Sequence, residues 1–284
     1  MKKWTLIGDS CCDLREADLT TKDIAFKTCP LVMTVADRQF VDDEALDVNE
    51  FIAAYKAEKT VTRTACPSPE VFEKAMEDAG GENIFVVTIT GNLSGTYAAA
   101  LIAAENYKKK HEGAKVHVCD SRSASVGEAK LLYFIKDEIE KGSTFEEIAE
   151  KVDNCRNKMQ TRFILQDLSN LAKNGRVGKI MHLIAKTVLL KLICGATPEG
   201  EIEKVGMTLS TQKGLQTMSN YPAEKIAEEG VDMPLYISHC NNEKDANFLK
   251  SLIESKFGLK KVKILITRGL ASFYAAEKGI IMAY

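Results

Sequence analysis

Ile84-Phe85-Val86-Val87-Thr88-Ile89 is an unbroken apolar run rich in β-branched residues. A strand with one face in water alternates polar and apolar residues, whereas a continuous run like this one suits a strand covered on both faces. It passes at once into the polar segment Thr90-Gly91-Asn92-Leu93-Ser94-Gly95-Thr96, and then into the Ala-rich stretch 97–110, which has high helix propensity. The same order recurs along the first half. Residues 3–8 form an apolar run ending in Asp9-Ser10-Cys11-Cys12-Asp13, and 115–119 leads through Asp120-Ser121-Arg122-Ser123 into a predicted helix over 125–141. Repeated strand, polar loop and helix predict a largely parallel α/β sheet, with functional groups on the loops after the strands' carboxy ends.

Helix starts are marked by local chemistry. Asp47 with Glu50 forms a capping-box pattern before a helix over 48–58, and Ser143 with Glu146 forms another before 144–159. Ser68-Pro69-Glu70 offers an N-cap, a first-turn proline and a first-turn acid, so the preceding loop Thr64-Ala65-Cys66-Pro67 is predicted beside a helix amino terminus. An extended stretch over 29–35 meets a turn at 36–38. Beyond about residue 160 the pattern changes. Strands are predicted over 161–165, 188–196, 201–208, 234–239, 262–266 and 279–283, with a short helix over 167–174 stopped by Gly175. Thr197-Pro198-Glu199-Gly200 joins two of these strands as a hairpin, so antiparallel pairing enters. At 284 residues the chain is long enough for two domains. The expectation is an α/β fold with an amino-terminal, mainly parallel domain (1–157) and a carboxy-terminal α/β domain with a mixed or antiparallel sheet (158–284).

Charge excludes one function class. With 38 Lys+Arg against 40 Asp+Glu the net charge is -2, which gives no strong attraction to nucleic acid phosphates. The longest stretch without a charged residue, 83–104, contains Gly91, Asn92 and Ser94 and reads as strand, loop and helix rather than a membrane span. Only transient membrane contact is expected. Asp9 comes too early for the apolar core of a secretory signal, and eight dispersed cysteines without a CxxC pair suit a reducing compartment, so a cytoplasmic location is expected.

The usual phosphate, dinucleotide and metal signatures are absent. Gly91-Asn92-Leu93-Ser94-Gly95 is one position out of register for a GxSxG nucleophile elbow. Between a strand and a helix, Ser94 is open to three readings: a plain turn, a donor to an anion or carboxylate, or a nucleophile. Asp9-Ser10 and Asp120-Ser121-Arg122 suit loop-capping Asx turns better than a paired-carboxylate or metal site. His111, His117, His182 and His239 lack metal-ligand spacing. Cys66 reads as an unreactive loop thiol, and Lys173-Asn174-Gly175-Arg176 as either a solvated helix end or an anion or partner contact.

Taken together, five segments resemble the DegV family, whose members bind long-chain fatty acids and include the binding subunits of a bacterial fatty acid kinase. They are Asp9-Ser10 with Asp13; Thr64-Ala65-Cys66-Pro67-Ser68-Pro69; Asn92-Leu93-Ser94-Gly95-Thr96-Tyr97; Asp120-Ser121-Arg122; and Leu171-Ala172-Lys173-Asn174-Gly175-Arg176-Val177. The resemblance implies a two-domain α/β carrier that holds a fatty acid, with its carboxylate anchored by Thr64 and Ser94 and the adjoining Gly95 and Thr96. It implies a fatty acid kinase as partner, no catalytic residues of the chain's own, no cofactor and no metal. Where the family often has a His-Gly-Pro-Gly-like segment, this chain has Thr267-Arg268-Gly269-Leu270, and Arg268 is expected to take over the polar role. Asp9, Ser10, Ser121, Arg122 and Arg176 are expected as loop or partner contacts. Cys66 stands in place of the usual Gln, and Leu192 where Pro is common. The rival readings are a Ser-dependent acyl hydrolase with Ser94 as nucleophile, and a small-anion binder at the helix start near Thr64 and Ser68.

Overall fold

The computed structural model describes residues 3–180 and 190–284. Its first half contains β1 (Trp4–Asp9), α1 (Glu16–Leu19), β2 (Ile24–Cys29), β3 (Val32–Val35), β4 (Arg38–Val41), α2 (Val48–Ala57), β5 (Arg63–Ala65) and α3 (Pro69–Ala79). These are followed by β6 (Asn83–Thr88), α4 (Thr96–Lys110), β7 (Lys115–Asp120), α5 (Val126–Glu140) and α6 (Phe145–Lys158). The second half contains β8 (Thr161–Ile164), α7 (Ser169–Lys173), β9 (Lys191–Ala196), β10 (Ile202–Thr208), α8 (Thr211–Met218) and α9 (Ala223–Glu229). It ends with β11 (Leu235–His239), α10 (Glu243–Phe257), β12 (Val262–Ile266), α11 (Gly269–Ala275) and β13 (Ile280–Ala283).

The expected α/β architecture is present. Strands β2-β1-β6-β7 form a four-stranded sheet in that order, parallel throughout. β10-β9-β8-β13-β11-β12 form a six-stranded sheet that is antiparallel except for β11 and β12. The unbroken run at β6 has the two-sided burial it predicted: Phe85 and Val87 pack into the cluster with Trp4 and Leu6, while Ile84 and Val86 pack against Ala99, Ala100 and Ala103 of α4. α5 lies between the two sheets. Val126, Ala129 and Leu132 share one core cluster with Trp4 and Phe85 of the parallel sheet and with Tyr236 and Ala283 of the mixed sheet. Each large apolar side chain buried there contributes roughly 1.5–3 kcal/mol, so a helix buried on nearly every face ties the halves into one hydrophobic unit.

Three local expectations are corrected. The helix predicted from Ser143 is capped one residue later: Thr144 Oγ1 accepts from Glu147 N at 3.3 Å and Glu147 Oε2 accepts from Thr144 N at 2.8 Å. Ser143 Oγ instead donates to Glu138 Oε2 at 3.0 Å and accepts from Lys151 Nζ at 3.1 Å. At α2 only half of the box forms: Asp47 Oδ1 accepts from Asn49 N and Glu50 N, while the Glu50 carboxylate pairs with Arg38 at 2.5 Å. The extended stretch 29–35 is divided at Pro30, which has no N–H to give a ladder. Its first part ends β2, and its second becomes β3 of a separate sheet ordered β4-β3-β5. Thr64, expected in a loop, is therefore on a strand, opposite Met33. Of the strand predicted over 188–196, residues 188 and 189 lie outside the described residues, as does His182. Among the described residues, no helix is long and apolar enough to cross a membrane.

Candidate functional site

A cavity of about 320 Å³ is lined by loops at the carboxy ends of the parallel strands, by β5, and by strands of the mixed sheet. Leu31 and Ile89 come from the first half, and Phe163, Leu165, Ile202 and Ile281 from the second. Thr64 and Ser94 line it too, and so do Ser123, Ser125 and Thr161. The wall is thus mostly apolar with a few hydroxyls, the composition of a site for an amphiphile.

Thr64 and Ser94 reach the cavity from neighbouring segments. On β5, Thr64 Oγ1 lies 2.9 Å from the Tyr274 hydroxyl of α11. Ser94 sits in the loop after β6, where its backbone N–H donates to Thr90 O at 3.2 Å. Its Oγ is 2.8 Å from Thr96 Oγ1 and accepts from Thr96 N at 3.4 Å. Gly95 is where the two segments meet, since a Cβ built there would lie 3.4 Å from Cys66 Sγ. It also N-caps α4, whose first-turn N–H groups place partial positive charge beside Ser94. Arg176 closes this end: it lines the cavity, its Nε donates to Leu93 O at 3.2 Å and its Nη1 donates to Asn174 O. Arg176 is the one Lys or Arg among the described lining residues. Asn92 Nδ2 donates to Glu199 O, fastening the same loop to the β9–β10 hairpin. Thr64, Ser94, Gly95 and Arg176 therefore share one end of one cavity, with Thr96 supporting Ser94 from behind.

Arg268 is elsewhere. Its guanidinium donates to Leu14 O at 2.9 Å and to Asp42 O at 3.3 Å, its backbone N–H donates to Asp13 Oδ1 at 2.7 Å, and it does not line the cavity. Two backbone carbonyls hold the guanidinium, with the buried Asp42 carboxylate 3.9 Å from its Nε, so the segment expected to bind the head group does not bring Arg268 to the cavity. The remaining expected contacts are loop contacts. Asp9 Oδ1 accepts from Cys11 N at 2.9 Å and its Oδ2 from Ile89 N at 2.7 Å. Ser10 Oγ accepts from Leu31 N at 3.0 Å, and Ser121 Oγ both accepts from Ser123 N and donates to Ser123 O at 3.1 Å. Asp9, Ser10 and Ser121 are buried and present nothing to a partner. Arg122, at a φ of 51°, donates to Asn157 Oδ1 at 3.2 Å and to Pro198 O at 3.3 Å, stitching its loop to the second half.

Several carboxyls under the cavity floor hold protons to unusually high pH. Burial pushes Asp9 and Asp13 up to about 7, against the opposing hydrogen bonds they accept. Burial pushes Glu128 well above the usual carboxylate range, and neither of its oxygens has a hydrogen-bond partner. Asp9, Cys11 and Glu128 bring three ligand-type atoms within 4.8 Å of one another. Both Asp9 oxygens accept from backbone donors, and burial pushes the Cys11 thiol and the Glu128 carboxyl up, toward their protonated forms.

The lining also includes residues that sequence reasoning missed. Tyr274 is 210 positions from Thr64, and Ser123 Oγ meets Thr161 Oγ1 at 2.7 Å across 38 positions. No local motif could reveal either pairing.

Comparison with known proteins agrees with this geometry. The family model described as "Uncharacterised protein, DegV family" matches residues 3–281. A DegV domain-containing protein of Streptococcus pneumoniae is 35% identical over 282 residues, covering 99% of this chain and 98% of that protein. The crystal structure of the S. pneumoniae fatty acid kinase (Fak) B3 protein loaded with linoleic acid is similar at a TM-score of 0.90 and 34% identity, over 100% of this chain and 99% of that one. A DegV family protein of Ruminococcus gnavus, solved with vaccenic acid, gives a TM-score of 0.91 at 30% identity, again over 100% and 99% of the two chains. Matched over nearly its whole length in both sequence and fold, the chain belongs to the DegV family.

Proposed function

We propose that this protein binds a long-chain fatty acid in the cavity between its sheets, with the carboxylate held by Thr64 and Ser94 at the α4 amino terminus. The observation that carries the reading is the polarity of that cavity: apolar along its wall, with two hydroxyls, a helix amino terminus and Arg176 gathered at one end. An amphiphile with one anionic head and a long tail matches it. At about 0.8 kcal/mol per buried CH₂, a chain of about sixteen carbons gives a gross transfer term on the order of 12 kcal/mol before ordering costs. The tail supplies affinity and the head supplies orientation. In this reading the amino-terminal unit, 1–157, carries the head-group hydroxyls, and the carboxy-terminal unit, 158–284, helps to enclose the acyl chain.

The relative loaded with linoleic acid is a fatty acid kinase (Fak) B3 protein, and we extend a kinase partnership to this chain: it presents the carboxylate, and a kinase supplies ATP and phosphoryl transfer. The hydrolase reading has less support. None of the described histidines lines the cavity, and the neighbour of Ser94 Oγ is the Thr96 hydroxyl, which is no general base at neutral pH.

Mass spectrometry of an organic extract of the purified protein, with native mass spectrometry to count ligands per chain, tests the binding reading. Near-stoichiometric fatty acid is the expected result. An extract without lipid, from protein that also fails to bind added fatty acid, overturns it. Acyl-phosphate formation with the cognate kinase and ATP tests the partnership separately.

A further inference from the structure

We propose that Tyr274 is a positioning residue for the head group, acting through Thr64 so that the Thr64 hydroxyl turns its proton toward the cavity. This deepens, and rests on, the reading of the cavity as a fatty-acid site. The Tyr274 hydroxyl and Thr64 Oγ1 are 2.9 Å apart. A phenol O–H is more acidic than an aliphatic O–H, so the phenol donates and Thr64 accepts. The Thr64 proton is then free to turn into the cavity that both residues line.

Ser94 is backed in the same way. Thr96 is fully buried in the first turn of α4, and its hydroxyl meets Ser94 Oγ at 2.8 Å while its backbone N–H is aimed at the same oxygen. A buried hydroxyl that withheld its proton would lose a hydrogen bond, so Thr96 donates and the Ser94 proton also turns outward. Each head-group hydroxyl thus accepts from a second hydroxyl, which leaves its own proton for the cavity. A carboxylate accepts only and makes charge-assisted bonds to both protons. A fatty alcohol makes only neutral hydrogen bonds with the same protons and gains less from their orientation. Without the Tyr274 hydroxyl the Thr64 proton is no longer held toward the cavity, which costs the carboxylate more than the alcohol.

The test compares binding of hexadecanoic acid and 1-hexadecanol to delipidated full-length protein, reading the ratio of the two dissociation constants. Tyr274→Phe is expected to reduce the preference for the acid by about fivefold, one hydrogen bond's worth. Thr64→Val is expected to reduce it as well, and adding Tyr274→Phe to Thr64→Val is expected to change nothing more, because Tyr274 acts through Thr64. Thr64→Ser keeps the wild-type ratio. Fluorotyrosine at position 274, a stronger donor, raises it and does not depend on the Phe variant folding. A ratio unmoved by Tyr274→Phe or fluorotyrosine overturns the proposal, and so does a full second loss in the double variant. Loss of affinity for acid and alcohol alike would assign Tyr274 a purely structural role. Wild-type protein that binds neither ligand is a different result, which removes the fatty-acid reading itself.

Discussion

Asp42 and Arg268 are joined across 226 positions: the guanidinium donates to Asp42 O at 3.3 Å, and the Asp42 carboxylate accepts from Gly269 N and Leu270 N at 2.9 Å each. Asp42 thereby caps the helix that carries Tyr274, and Arg268 balances Asp42 and Asp13 where both carboxylates are buried.

Arg268→Ala is therefore expected to cost about 3–5 kcal/mol of stability, since it leaves buried carboxylates without their cation. Urea denaturation measures this. The guanidinium does not line the cavity, so the folded fraction of the variant should retain fatty acid with affinity changed by no more than about threefold, below one hydrogen bond's worth. A large loss of affinity with little loss of stability would return Arg268 to the head group.

Ser94→Ala should do the opposite. Removing a donor from the carboxylate weakens retention by roughly 1–3 kcal/mol, while stability should fall by only about 1 kcal/mol: the buried Thr96 hydroxyl loses its partner, but the Ser94 backbone bond to Thr90 remains. Displacement of a fluorescent fatty acid and a thermal melt give the two readings. Unchanged retention in a folded variant would take Ser94 out of the site.

The candidate site was legible where its groups are local. Ser94 lies in a short segment whose order, strand then polar loop then helix start, can be read from neighbouring residues, and the helix start after Thr64 is marked by Ser68-Pro69-Glu70. The parallel sheet followed from the runs at 84–89 and 115–119 for the same reason. What failed was long range. Arg268 is polar in the right segment, but its partners Asp13, Leu14 and Asp42 lie more than 220 positions away. β5 has three residues, too few for a period, and exists because β3 offers it a partner. Thr144 caps the helix in place of Ser143, whose hydroxyl bonds Glu138 and Lys151, side chains that no local pattern points to.

Stability should fall as pH rises through the range from about 4 to about 7. Asp9 and Asp13 titrate near 7 when folded, against an ordinary value of 3.8, so in that interval the native state keeps protons that the unfolded chain has released. The contribution is level below that range, where both states are protonated, and level again above it. Glu128, pushed well above the usual carboxylate range, adds to the decline. Glu128→Gln supplies a neutral side chain of the same shape, whose amide can donate to Asp9. The variant should match wild type at pH 5 and exceed it at pH 8 in chemical denaturation. Parallel curves for the two proteins would mean that Glu128 is ionised in the fold.

Cys66 gives a direct reading of where the head group lies. Of the eight thiols, six are buried and Cys155 is half-buried, while Cys66 is exposed, lines the cavity and sits 3.4 Å from where a Gly95 Cβ would be. A maleimide should therefore label Cys66 first, and Cys66→Ser should remove that fast phase. An adduct at this position intrudes beside Thr64 and Ser94, so labelled protein should lose retention of fatty acid. Saturating fatty acid should in turn slow the labelling, because a carboxylate at Ser94 shields the adjacent thiol. The two effects are reciprocal consequences of one geometry, and both are read from the same reaction by intact-protein mass. Labelling at an unchanged rate under saturating ligand would place the carboxylate away from Gly95 and at another part of the cavity.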